Sequence, residues 1–302
     1  MKKSYLFAGV SILLWSTVAT VAKLLLGSLN SFQILSVTTL FAGVFLLVVN
    51  LVTGNIKKLK AYRPKDVLIT VLIGLPGTFF YYVFYYTGTS LMPASQAFII
   101  NYLWPIMSVL FACIVLKEKM TPRKGIAIAL SFVGVIIVTG GALLSLHRET
   151  LLGAVCCVLG AVSYGVFTAY NQKYRYDRRI SFMIFYFTSF LLTMGINVAT
   201  DNLFTLSPVQ VLGLGWNGIF AVAIAGICWM VALESGKTAK ISNLAYITPF
   251  LSVLWTAIFL KEKMTVYSLV GLAVIILGIL IQMGEKKEAG EKRLHKEEET
   301  KL

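Results

Sequence analysis

Ten apolar stretches, each roughly twenty residues long and so long enough to cross a bilayer, follow one another along this chain, and they decide its solvent. They are Tyr5–Leu26, Phe32–Thr53, Val67–Thr87, Ala94–Leu116, Gly125–Leu144, Leu151–Asn171, Ser181–Thr200, Gln210–Leu233, Ile241–Leu260 and Tyr267–Met283. Ten in series with short connections do not fit a soluble core. The 302 residues are 58% hydrophobic and 13% charged, whereas a soluble domain carries about 25% charged residues. In lipid each backbone amide and carbonyl must be satisfied within its own segment, which makes the spans helices. The expected fold is an all-α polytopic membrane protein without a soluble domain. The first stretch is too long for a signal-peptide core and lacks a small-x-small cleavage site, so it reads as an uncleaved first span.

The segment from Pro105 to Thr121 occurs a second time from Pro249 to Thr265, identical at eleven of seventeen positions at an offset of 144. Both copies end in Lys-Glu-Lys-Met-Thr. They lie on the fourth and ninth spans, so five crossings separate them and the second copy is inverted. The chain therefore reads as two inverted five-helix repeats, residues 1–146 and 147–284, followed by a charged tail, 285–302. Inverted halves are the architecture of alternating-access transporters. The same offset pairs Gly134 with Gly278. Gly125, Ala129, Gly134, Gly140, Gly271 and Gly278 allow close helix approach along the fifth and tenth spans. Packing within one chain and a homodimer through these two helices both satisfy that pattern.

A net charge of +14 raises the question of nucleic acid, and its placement answers it. Of the cations outside the spans, 23 fall on one side of the alternating connections and three, Arg148, Lys261 and Lys263, on the other. Under the positive-inside rule both termini are cytoplasmic in a multi-pass plasma-membrane protein. The expected partners are the lipid bilayer and a small-molecule substrate, not nucleic acid. Cys113, Cys156, Cys157 and Cys228 lie within spans, and His147 and His295 lie in a loop and the tail. Neither set has metal-site spacing, and no cofactor is expected. No His/Asp, Ser/His or Glu/His constellation stands at membrane depth, so an enzyme is not expected. The tail reads as disordered or as a frayed extension of the last helix, and Glu234 as a solvated residue ending the eighth span.

Ionisable residues inside a bilayer are functional candidates by default. Lys23 follows Ser16 and Thr20 at i+7 and i+3, giving a hydroxyl–hydroxyl–ammonium stripe on one face of the first helix. It serves either a substrate carboxylate or the outer headgroups, to which its stem would snorkel. No Asp or Glu lies deep in a span, which argues against a proton-swapping carboxylate. In the fourth span Asn101, Trp104 or Pro105, and Ser108 share a face. Pro105 cannot donate to the Asn101 carbonyl and bends the helix, leaving a binding patch or a packed kink. Pro249 recurs at the matching point, with Ala245, Thr248 and Ser252 on that face. In the third span Pro76 and Gly77 form a hinge candidate before an aromatic run. The run is an interfacial belt or a cavity wall, with Tyr82 and Tyr86 as the lining pair. Tyr164 and Trp229 are further inward candidates. Glu118 and Glu262 read as anchors, with Thr121 and Thr265 as caps of the following helices.

Ten spans in two halves, each carrying Pro-x(11)-Lys-Glu-Lys-Met-Thr, resemble the EamA-type branch of the drug/metabolite transporter superfamily over residues 5–283. Lys117 and Lys261 stand where that family usually has Gly. Leu14-Trp15-Ser16-Thr17 and Asn101-Tyr102-Leu103-Trp104-Pro105 are similar to the bacterial aromatic amino-acid exporter group. Asn171-Gln172-Lys173-Tyr174 and Tyr246-x-Thr248-Pro249 add to that likeness. The resemblance implies a bacterial inner-membrane transporter in which helices 1–4 and 6–9 surround a central cavity. It further implies that Trp15, Ser16, Asn101, Trp104 and Tyr246 face the pathway, with Pro76, Gly77, Pro105 and Pro249 as bends. The implied function is export or exchange of aromatic or amphipathic amino acids. A multidrug or cationic-compound exporter is the alternative, and a non-transporting membrane interaction protein is the alternative from another class.

Overall fold

The computed structural model describes residues 2–145, 147–174, 176–233 and 244–281. Arg175, Glu234, Lys237, Lys240 and the charged tail with His295 lie outside the described residues. Every regular element among the described residues is helical. Among the described residues eight helices are long and apolar enough to cross a membrane. They are α1 (Lys3–Leu26), α2 (Ser31–Val52), α3 (Pro64–Leu91), α4 (Ala94–Val115), α5 (Pro122–Ser145), α6 (Arg148–Lys173), α7 (Arg178–Ala199) and α8 (Pro208–Ala232). Two shorter apolar helices follow, α9 (Ile247–Phe259) and α10 (Val266–Ile281).

Local chemistry starts these helices. Asn30 and Gln33 form a reciprocal capping box on α2, and Ser207 and Gln210 form one on α8, each satisfying two orphan donors of a first turn. The caps expected at Thr121 and Thr265 are present: their hydroxyls accept from Lys124 N (3.3 Å) and Ser268 N (3.1 Å).

Four helices are irregular where the sequence places Pro or Gly. α3 widens into a π-turn over Leu75–Phe80, where the Tyr81 amide reaches back five residues to the Pro76 carbonyl. α8 does the same over Trp216–Ile224. α4 breaks at Tyr102–Leu103, just before Pro105, and the chain turns at Ala245–Tyr246 before α9 and Pro249. A π-turn or proline break leaves carbonyls to be satisfied from elsewhere, and so occurs inside membrane proteins only where another helix or a cavity lies beside it.

The helices pack in pairs: α2 on α7, α3 and α4 on α6, and α1 on α8 and α9. α5 packs on α10 through glycine. A Cβ on Gly134 would meet the Gly271 carbonyl at 2.9 Å, and one on Gly278 the Ala127 carbonyl at 2.8 Å. Gly134, Gly271 and Gly278 are thus accounted for by contacts within one chain.

The start of α7 is tied to the end of α2. Asp177, the N-cap of α7, accepts from Arg179 N and Ile180 N, from Asn55 Nδ2 (3.0 Å) and from Lys58 Nζ (2.6 Å). Burial pushes its carboxyl up, but the Lys58, Asn55 and Ile180 bonds outweigh burial and hold it below the usual carboxylate range. A depressed pKa contributes stability that is present above the unfolded value and lost as pH falls through the folded one. Asp177→Ala should cost about 1 kcal/mol at neutral pH, as loss of a cap typically does. Thermal melts in detergent at pH 7 and below pH 4 check this: the wild type should lose its advantage over the variant at the lower pH.

Candidate functional site

Two overlapping chambers of about 450 and 350 Å3 run into the helix bundle. They share Trp15, Tyr82, Tyr164, Thr168, Asn171 and Trp229 as walls. The larger opens where α6 ends and α7 begins, between Asn171, Gln172, Arg178 and Arg179. The smaller reaches inward to Asn101, Tyr102, Trp104 and Thr248 at the two helix breaks.

The walls are mostly aromatic. Trp15 and Trp229 lie with ring centroids 5.2 Å apart. Tyr164 sits between Tyr81 at 4.9 Å and Trp104 at 5.3 Å, the latter edge-on. Such offset and edge-on pairs contribute about 0.5–1.5 kcal/mol each beyond buried area, which gives the chamber a preset shape. Asn101 is 4% exposed and donates its Nδ2 to the Tyr81 hydroxyl at 2.8 Å. Its Oδ1 has no hydrogen-bond partner. A buried acceptor without a partner costs free energy, and this one lies beside Gly160 of α6.

The two breaks meet. Pro249 has no amide to offer the Ala245 carbonyl four residues earlier; that carbonyl accepts from the Thr248 amide at 3.0 Å and from the Tyr102 hydroxyl of the α4 break. Both residues are buried.

The end opposite the mouth is closed by polar contacts between helices. Lys23 Nζ donates to the carbonyls of Thr89 (2.6 Å) and Met92 (2.8 Å) at the end of α3. Glu262, beyond α9, accepts from Ala94 N (2.7 Å), Ser95 N (2.9 Å) and Ser95 Oγ (2.6 Å) at the start of α4. A cation on a helix C-terminus and an anion on a helix N-terminus are each favoured by the helix dipole. Gln33 to the Asn202 carbonyl and Gln210 to Ser28 complete the seal.

Of the sequence candidates, Trp15, Tyr82, Asn101, Trp104, Tyr164, Trp229 and Thr248 line the chambers. Ser16, Thr20, Lys23, Tyr86 and Tyr246 are not among the lining residues. Ser16 accepts from Trp255 Nε1 at 2.9 Å, and Thr20 is buried in the packing of α1. Lys23 departs from the expected stripe, because α3 ends and α4 begins beside it and its charge goes to their turn. Tyr86 is fully buried one turn nearer the closed end than Tyr82, where packing has replaced the cavity. Tyr246 packs against the core. Pro76 and Gly77 fall in the π-turn, and Pro105 and Pro249 follow the two breaks.

Sequence reasoning passed over Tyr81, Tyr102, Thr168, Phe182, Tyr186 and the arginine pair at the mouth. Tyr102 stands inside the Asn101–Pro105 motif, and Thr168 follows Tyr164 by one turn. Both carried a usable signal. Among the described residues no three His, Cys, Asp or Glu side chains gather as a metal site would require.

The profile of the EamA-like transporter family matches this chain twice, over residues 2–140 and 151–283. An uncharacterized transporter of Clostridium kluyveri is 24% identical over 300 residues, covering 96% of each chain. A protein of Ancylobacter novellus named aromatic amino acid exporter YddG is 26% identical over 252 residues, covering 81% of this chain and 84% of its own. A solved crystal structure superposes with a TM-score of 0.65 at 22% identity, covering 93% of this chain and 96% of the other.

Tyr102→Phe removes one of the two donors to the Ala245 carbonyl, which keeps the Thr248 amide at 3.0 Å, and should cost about 1 kcal/mol, as loss of a single hydrogen bond typically does. Thermal unfolding in detergent measures it, with Tyr174→Phe at an exposed site as the neutral control.

Proposed function

The chain belongs to the EamA-like transporter family, and on that footing we propose that it is a secondary exporter or facilitative exchanger of aromatic and related amphipathic amino acids. One observation carries the reading: a chamber walled by aromatic rings, with the Asn101 amide in its wall, open at one end of the bundle and sealed at the other. A chamber of that size accommodates an aromatic amino acid. The name of the Ancylobacter novellus relative points to the same substrates. A cationic-drug exporter is supported less well, because the described lining residues include no Asp or Glu to receive a cation.

We assign the transport cycle to two inverted five-helix halves, residues 1–146 and 147–284. Two observations support this. The pairings α3–α6 and α4–α6 exchange with α8–α1 and α9–α1 when each helix is replaced by its counterpart five helices along. The two copies of Lys-Glu-Lys also sit at opposite ends of α4: Glu118 follows its last turn and Glu262 caps its first. The mouth carries Arg178 and Arg179, and the positive-inside rule puts it and both termini in the cytoplasm of a plasma-membrane protein. In this reading the Lys23 and Glu262 contacts are the closed external gate, and rocking of one half against the other exchanges the open and closed ends.

Two measurements test the reading. Purified protein in liposomes should pass labelled phenylalanine, and Trp104→Ala should lower flux about tenfold, the equivalent of a lost ring contact of roughly 1.4 kcal/mol, with Asn101→Ala lowering it as well. Normal flux in both variants removes these residues from the pathway. Glu262→Gln weakens the cap on α4 and should speed maleimide labelling of Thr248→Cys from the external side, in a background without the four native cysteines. An unchanged labelling rate refutes the gate.

A further inference from the structure

Two neighbouring helices carry the same gradient of chemistry toward the cavity mouth. On α6, Tyr164, Thr168, Asn171 and Gln172 recur at helical spacing, and all line the larger chamber. That face passes from ring to hydroxyl to amide. On α7, read in the opposite chain direction, Tyr186 and Phe182 lead to Arg178 at successive turns, with Arg179 beside it. From Tyr164 to Asn171 the axial rise is about 10 Å at 1.5 Å per residue. A ring held against Trp15, Trp229 and Tyr164 therefore leaves the far end of the same small molecule within reach of an arginine side chain.

The fixed charge on this chamber has one sign. Among the described lining residues Arg178 and Arg179 are the charged side chains, and no Asp or Glu lines either chamber. Asp177 is adjacent in sequence but already holds Lys58, Asn55 and the first amides of α7. Neither guanidinium has a hydrogen-bond or ion-pair partner among the described residues. Arginine binds a carboxylate through two parallel N–H bonds in a fixed fork. An ammonium group in the same chamber finds rings and amides but no carboxylate from the described walls.

We infer that this chamber selects an aromatic ring joined to a carboxylate, held through Arg178 and Arg179, and that the α-amino group is dispensable. Aromatic carboxylates without an amine are then a substrate class of this protein alongside the amino acids. The inference rests on the export reading for the identity of the chamber and goes beyond it in naming what the chamber recognises. The arginines also serve as inside-positive topology signals, but that role alone gives no discrimination between ligands.

The test uses the full chain in lipid nanodiscs, with quenching of the native tryptophan fluorescence as the binding readout. The probes are 3-phenylpropionate, which keeps the carboxylate, and 2-phenylethylamine, which keeps the amine. The first should bind at least about tenfold more tightly than the second, the ratio expected from one charge-assisted bond. Arg178→Gln with Arg179→Gln should abolish that ratio, and the paired lysine variant should retain part of it. Comparable binding of the two probes, failure of phenylpropionate to bind, or an unchanged ratio in a folded glutamine variant overturns the inference. The wild-type ratio and the lysine pair decide the matter if the glutamine pair does not fold. Lack of phenylalanine flux in liposomes, with the probe ratio intact, overturns the export reading and supports the site.

Discussion

The Tyr102 hydroxyl on the carbonyl of Ala245 is the contact around which the interior is arranged. Pro249 deprives that carbonyl of its regular helical donor, and the Thr248 amide at 3.0 Å and the Tyr102 hydroxyl take its place. The second of these donors comes from the break in α4, where Pro105 removes a helical donor in the same way. The bond joins the two breaks. Their meeting brings Asn101, Trp104 and Thr248 to one wall of the smaller chamber. Tyr102 meets Ala245 before α9 while Trp104 meets Tyr164 on α6.

The two ends of the bundle use charge differently. At the sealed end Lys23 and Glu262 neutralise the end of α3 and the start of α4, so each charge is compensated by a helix dipole and by hydrogen bonds. At the open end Asp177 satisfies the start of α7 and leaves the arginines beside it without a partner among the described residues. The contrast between compensated and uncompensated charge gives the cavity a direction. One end is stabilised closed, and the other presents cations to whatever enters.

Much of this was legible in the chain. Proline and glycine act through the local backbone, so the irregular turns at Pro76, Pro105 and Pro249 follow from sequence alone. The caps at Thr121 and Thr265 do as well. Tyr82, Asn101, Trp104, Tyr164 and Trp229 were named as inward candidates from the chain, and Trp15 through the family resemblance, and these six line the chambers. The Ser16–Thr20–Lys23 stripe misled, because helical spacing says which residues share a face and not what that face meets. It meets Trp255 and the α3–α4 turn. Tyr86 failed for a related reason: the period that puts it beside Tyr82 carries no information about where the cavity ends.

Apolar length, proline position and charge asymmetry were set by sequence alone, since each acts within a segment or between a segment and lipid. They yield a membrane-embedded helical chain with breaks at stated places. The duplicated Lys-Glu-Lys-Met-Thr told of a repeat but not of a role. Glu118 and Glu262 are the same residue in the same local sequence, yet Glu118 reaches Lys124 beside it while Glu262 caps a helix 168 residues away in the chain. Only the tertiary structure could separate them, because a hydrogen bond across such a distance depends on which helix end is brought near, and no local spacing encodes that.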